Sequence, residues 1–81
     1  MLEVNLSSSL REFAGGAATI TVEAATIREL LRKLVERYPR LQSRVTEGIA
    51  VSINGEIFRD DRDERIPQGA EVFLLPRIQG G

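Results

Sequence analysis

The chain contains no cysteine and no histidine, and a single lysine, Lys33. Without cysteine there can be no disulfide, no thiolate nucleophile, no zinc knuckle and no iron–sulfur cluster. Without histidine the usual acid–base group at neutral pH and the commonest metal ligand are both missing. Lys33 falls within a helical pattern, so neither a catalytic centre nor a metal site is expected. Aromatic residues are few, three Phe and one Tyr, and the net charge is −1 with no basic stripe. That balance argues against nucleic acid or an anionic membrane as partner. No apolar run approaches a membrane span, and Met1-Leu2-Glu3-Val4 opens directly into strand-like sequence rather than a signal peptide. Gly15-Gly16 has neither the spacing of a phosphate loop nor a lysine after it, so the isolated chain should hold no nucleotide. These absences predict a cytoplasmic protein that is not an enzyme and binds no cofactor.

What is present is the composition of one small globular domain: 81 residues, 42% hydrophobic and 28% charged, near the lower size at which one core folds unaided. Leu2, Val4 and Leu6 alternate with Glu3 and Asn5, the period of a half-buried strand. Ser7 to Phe13 breaks the alternation as a loop with one helical turn, and Gly15-Gly16 turns the chain. Thr19 to Glu23 resumes the alternation with Ile20 and Val22 inward, and the two strands are expected to pair antiparallel.

Thr26-Ile27-Arg28-Glu29 has the spacing of a capping box, in which Thr26 accepts from the Glu29 amide and Glu29 from the Thr26 amide. Ile27, Leu30, Leu31, Leu34, Val35 and Tyr38 then form one helical stripe, a core face, ended by Pro39. Leu41 to Gly48 reads either as loop or as a short second helix. Ile49 to Ile53 is a strand, and Asn54-Gly55 marks a type I′ hairpin returning through Glu56-Ile57-Phe58. Arg59 to Arg65 is a mixed-charge loop, read as solvated surface. Pro67-Gln68-Gly69 turns the chain into a last strand, Glu71 to Leu75. Its four consecutive apolar residues suggest a central strand covered on both faces. The order β-β-α-β-β-β, with one long helix, predicts a two-layer α+β domain, and a last strand parallel to the first would make the sheet mixed.

Beyond Pro76 come Arg77-Ile78-Gln79-Gly80-Gly81. At about 3.3 Å per extended residue, a flexible tail of these five could reach roughly 16 Å from the fold. A glycine pair at its tip would enter a slot too narrow for any Cβ and leave the terminal acyl carbon unhindered. Gly81, with its free carboxylate, is therefore the candidate reacting residue and Gly80 its companion. The alternative is a plain frayed terminus.

Ser9-Leu10-Arg11-Glu12, Glu36-Arg37-Tyr38-Pro39, Val51-Ser52-Ile53-Asn54-Gly55-Glu56 and Gly69 to Pro76 running on to Gly80-Gly81 together resemble the small sulfur carriers with a ubiquitin-like β-grasp fold. That group includes the small subunit of molybdopterin synthase, the thiamine-pathway carrier and carriers feeding cysteine synthesis. The resemblance implies a β-grasp domain over residues 1–76 and a reactive tail over 77–81. It implies a partner adenylyltransferase, related to ubiquitin activators, that uses ATP to join Gly81 to AMP. It further implies a sulfurtransferase that yields a thiocarboxylate, and a sulfur-accepting enzyme such as the molybdopterin synthase large subunit. Cysteine or thiamine synthesis, and conjugation of Gly81 to lysines of other proteins, are the alternatives, with a plain β-grasp binding module as a third class. Such carriers present apolar residues on an open sheet face. Ile57, Phe58, Leu75 and Ile78 are the candidates for that patch, with Arg77 as a charge contact; for Phe58 and Leu75 the alternative is a place in the core.

Overall fold

Leu2, Val4 and Leu6 are buried while Glu3 is exposed, so the period-two pattern forms strand β1 (Leu2–Leu6). The computed structural model describes residues 1–59 and 61–76. A short helix α1 (Ser8–Arg11) and a 3-10 turn (Glu12–Ala14) follow β1, and Gly15 and Gly16 turn the chain into β2 (Thr19–Val22). Helix α2 (Ile27–Arg37) then crosses to α3 (Leu41–Glu47), settling the ambiguous segment as a helix closed by Gly48 at φ 117°. Strands β3 (Ile49–Ile53), β4 (Glu56–Phe58) and β5 (Glu71–Pro76) complete the fold.

The five strands are ordered β2-β1-β5-β3-β4. β1 pairs antiparallel with β2 and parallel with β5, while β3 lies antiparallel between β5 and β4. The sheet is therefore mixed, with its last strand at the centre. Asn54 and Gly55 both have positive φ, 50° and 89°, as the tight β3–β4 hairpin requires.

Helix α2 buries Ile27, Leu30, Leu31 and Leu34 in one cluster with Val4, Leu6, Ile20, Val51, Val72 and Leu74 of the sheet, and Val35 and Tyr38 pack against its edge. Removing side chains of this size from water contributes roughly 1.5–3 kcal/mol each. Among the described residues, the helical layer covers this one face only.

Two local expectations change. Thr26 Oγ1 does accept from the Glu29 amide at 3.2 Å, but Glu29 Oε1 accepts from the Ala25 amide, at 2.7 Å, rather than from Thr26. The charged loop before β5 is also more than a solvated surface. The Ile27 amide donates to the Glu64 carbonyl at 3.1 Å and the Arg28 amide to the Arg62 carbonyl at 2.8 Å. These are two of the amides that the first turn of a helix leaves without partners, so the loop closes the start of α2.

Candidate functional site

The expected reacting residues Gly80 and Gly81, and the expected contacts Arg77 and Ile78, lie outside the described residues. The structure fixes the strand that leads to them. β5 runs between β1 and β3, and its last residue, Pro76, pairs with Ile49.

On the face that no helix covers, one register row crosses the whole sheet: Thr19, Asn5, Phe73, Ser52 and Ile57. Side chains alternate faces along a strand, so these five point the same way. Thr19 Oγ1 donates to Asn5 Oδ1 and Asn5 Nδ2 to the Val72 carbonyl, both at 3.2 Å, which ties the polar half of the row together. In the other half two apolar residues, Phe73 and Ile57, flank the buried Ser52. Ile57 is 53% exposed and Phe73 38% exposed. Leu75, one position further toward Pro76 on the same face, is half-buried opposite Ala50.

The expectation that Val72 to Leu75 would be covered on both faces is thus overturned, because Phe73 lies on the open one. Phe58 moves the other way. It pairs with Val51, which pairs with Leu74 and that in turn with Leu6, all on the helix-covered face, and its ring packs against the core. Its expected exposure does not hold, whereas Ile57 and Leu75 share one face. Phe73 is the member that sequence reasoning missed. Alternation could have found it: with Val72 and Leu74 inward, Phe73 must face outward.

The open face changes character along its length. Toward the start of β1 and β5 it carries Glu3 and Glu71, exposed register partners in adjacent parallel strands. A separate groove at that end is lined by Leu2, Ala25, Lys33, Arg65 and Ile66 among others. Its lysine donates to the Glu23 carbonyl at 2.7 Å and its Glu29 accepts from the Ala25 amide, so both groups serve the backbone around them. No helix among the described residues is long and apolar enough to cross a membrane.

A model of the ThiS family matches residues 4–81. A molybdopterin synthase sulfur carrier subunit from Pyrenophora tritici-repentis is 33% identical over 57 residues, 67% of this chain. The match spans 61% of that relative's length. SAMP1 from Haloferax volcanii superimposes with a TM-score of 0.77 at 33% identity, over 99% of this chain and 98% of that one. A chain of the Amycolatopsis orientalis BexX/CysO complex superimposes with a TM-score of 0.83 over the full length of both chains; at 22% identity it shows the fold alone. With its mixed sheet, helical layer on one face and match through residue 81, the chain belongs to the ThiS family of ubiquitin-like β-grasp sulfur carriers.

Proposed function

We propose that this chain carries sulfur as a thiocarboxylate on Gly81 and delivers it to a biosynthetic enzyme, molybdopterin synthesis being the first candidate. A carboxylate is a poor acceptor at carbon. Its oxygen attacks the α-phosphate of ATP in a partner adenylyltransferase, pyrophosphate leaves, and the acyl-adenylate gains AMP as leaving group. A persulfide on a sulfurtransferase then displaces AMP to give an acyl disulfide. Attack by a thiol on the sulfurtransferase sulfur releases the acyl sulfur as the thiocarboxylate and leaves a disulfide. The resulting thiocarboxylate is a soft nucleophile for the accepting enzyme, such as the large subunit of molybdopterin synthase. The catalytic groups and the nucleotide site belong to the partners, and this chain brings a rigid handle and an unhindered acyl end.

The observation that carries this reading is the family match extending through Gly81. The relative named as a molybdopterin synthase sulfur carrier subunit supports the choice of pathway. The open face bearing Ile57, Phe73 and Leu75 supplies a surface on which partners can dock. A second reading is favoured by the 33% identity to SAMP1, a small archaeal modifier protein. In it, a lysine amine on another protein displaces AMP instead of sulfur.

Intact-mass analysis of the protein purified from its own host separates the two. Exchange of one oxygen for sulfur adds about 16 Da to the chain, whereas conjugation leaves, after tryptic cleavage at Arg77, Ile-Gln-Gly-Gly remnants on lysines of other proteins. Neither signal, in cells making the protein at normal levels, would sink both readings.

A further inference from the structure

Arg40 and Arg44 stand four residues apart at the start of α3, hence side by side on one helical face. Both guanidinium groups lie over the ring of Phe13, their central carbons 5.4 Å and 4.8 Å from its centroid. Phe13 belongs to the 3-10 turn after α1 and is packed against the core, so the fold fixes where the ring stands. Like charges at this spacing repel each other, and the electron-rich ring face offsets part of that repulsion.

Little of the donor capacity of these groups is used internally. A guanidinium offers five N–H donors. Arg40 gives one, from Nη1 to the Glu12 carbonyl at 3.3 Å, and among the described residues no carboxylate pairs with it. Arg44 pairs through Nη1 with Glu47 at 3.3 Å, and its buried Nε has no partner among the described residues. Other cations of the helical layer make bonds of the same kinds, and what sets Arg40 and Arg44 apart is the Phe13 ring they share. Arg28 and Arg32 pair with Asp63 and Glu36, and Arg37 and Lys33 donate to the Thr21 and Glu23 carbonyls along the edge of β2.

The place matters as much as the chemistry. α3 leads through Gly48 into Ile49, the partner of Pro76, and the Ser7 amide, just before α1, bonds the Leu74 carbonyl at 3.2 Å. The Arg40–Phe13–Arg44 cluster therefore belongs to the end of the domain at which β5 finishes, on the helical side. An enzyme that handles residues beyond Pro76 would approach the end of the domain that carries this cluster.

Building on the carrier reading, we propose that Arg40 and Arg44, held by Phe13, form a docking point for an acidic protein surface on the adenylating partner, separate from the apolar sheet face. Stacked guanidinium groups lose little rotamer freedom when they pair with carboxylates, and their planar forks suit bidentate contact. Charges at the rim of an interface act chiefly on the association rate, and that effect fades with salt.

The test is stopped-flow association of the full chain with its cognate activating enzyme across a range of ionic strength. Arg40→Glu should slow association about tenfold at low salt, with the deficit shrinking as salt rises. Adenylation at saturating concentrations should remain. Arg32→Glu, the same charge change on α2, is the control and should have a much smaller effect. Equal rates and equal salt slopes for Arg40→Glu and the parent would overturn the proposal while leaving the carrier reading intact. So would equal slowing by the two variants, since net charge alone would then be responsible. No association by parent or variant would sink both the proposal and the carrier reading.

Discussion

A single register position decides what Phe73 does. Its strand neighbours Val72 and Leu74 are fully buried, while Phe73 is 38% exposed in the same row as Ile57 at 53%. Read as composition, Val72-Phe73-Leu74-Leu75 is one apolar run, and a run carries no information about faces. Alternation resolves it only when the number of helical layers is known. Phe58 illustrates the same limit from the other side, since a β4 of three residues gives too little pattern to tell inward from outward. Truncating exposed apolar residues at the centre of an interface can weaken binding by about 2 kcal/mol or more yet barely disturb the free protein. Ile57→Ala and Phe73→Ala should therefore unfold in urea within about 1 kcal/mol of the parent while binding the activating enzyme at least tenfold more weakly. Isothermal titration and urea denaturation on the same samples check this. Unchanged affinity would remove either residue from the docking face.

Helix α2 is the element whose position was most legible, because its stripe, its Thr26 cap and its Pro39 stop all lie within one window of sequence. The loop that closes its start was not legible. The bonds from Ile27 to Glu64 and from Arg28 to Arg62 join positions far apart along the chain, and backbone bonding leaves no mark on residue type. α3 was legible only as an alternative, since seven residues offer barely two turns of pattern. The cap itself can be tested. Thr26 Oγ1 holds the Glu29 amide at 3.2 Å, and removing such a cap costs about 1 kcal/mol. Thr26→Ala should lower the stability of the domain by about that amount, read from the urea midpoint at unchanged slope, and Thr26→Ser should restore most of it. A loss below about 0.3 kcal/mol would mean that the loop amide bonds and Glu29 already hold the helix start without the hydroxyl.

At the scale of the molecule, the buried core and the proposed reactive end are written in separate stretches of chain. The buried hydrophobic residues of the described structure run from Leu2 to Leu74, and β5 delivers the chain to the sheet's centre at Pro76. The element order, the mixed sheet and the family motifs made this architecture readable from sequence. The open face was less so, because it depends on which strands become neighbours. If the carrier reading holds, stability and reactivity should separate cleanly under mutation. Deleting Gly80 and Gly81 removes none of the buried residues named above. The melting temperature should therefore move by less than about 4 °C, the shift that 1 kcal/mol produces in a domain of this size. ATP–pyrophosphate exchange with the cognate activating enzyme should nevertheless disappear. Gly80→Val is the finer probe, since it keeps the terminal carboxylate and adds only a branched side chain where a narrow channel would admit none. It should also cut exchange strongly at an unchanged melting temperature. Full exchange by the deletion variant would show that Gly81 is not the activated residue. Full exchange by Gly80→Val alone would keep Gly81 as the acyl donor and show that the enzyme's channel accepts a Cβ.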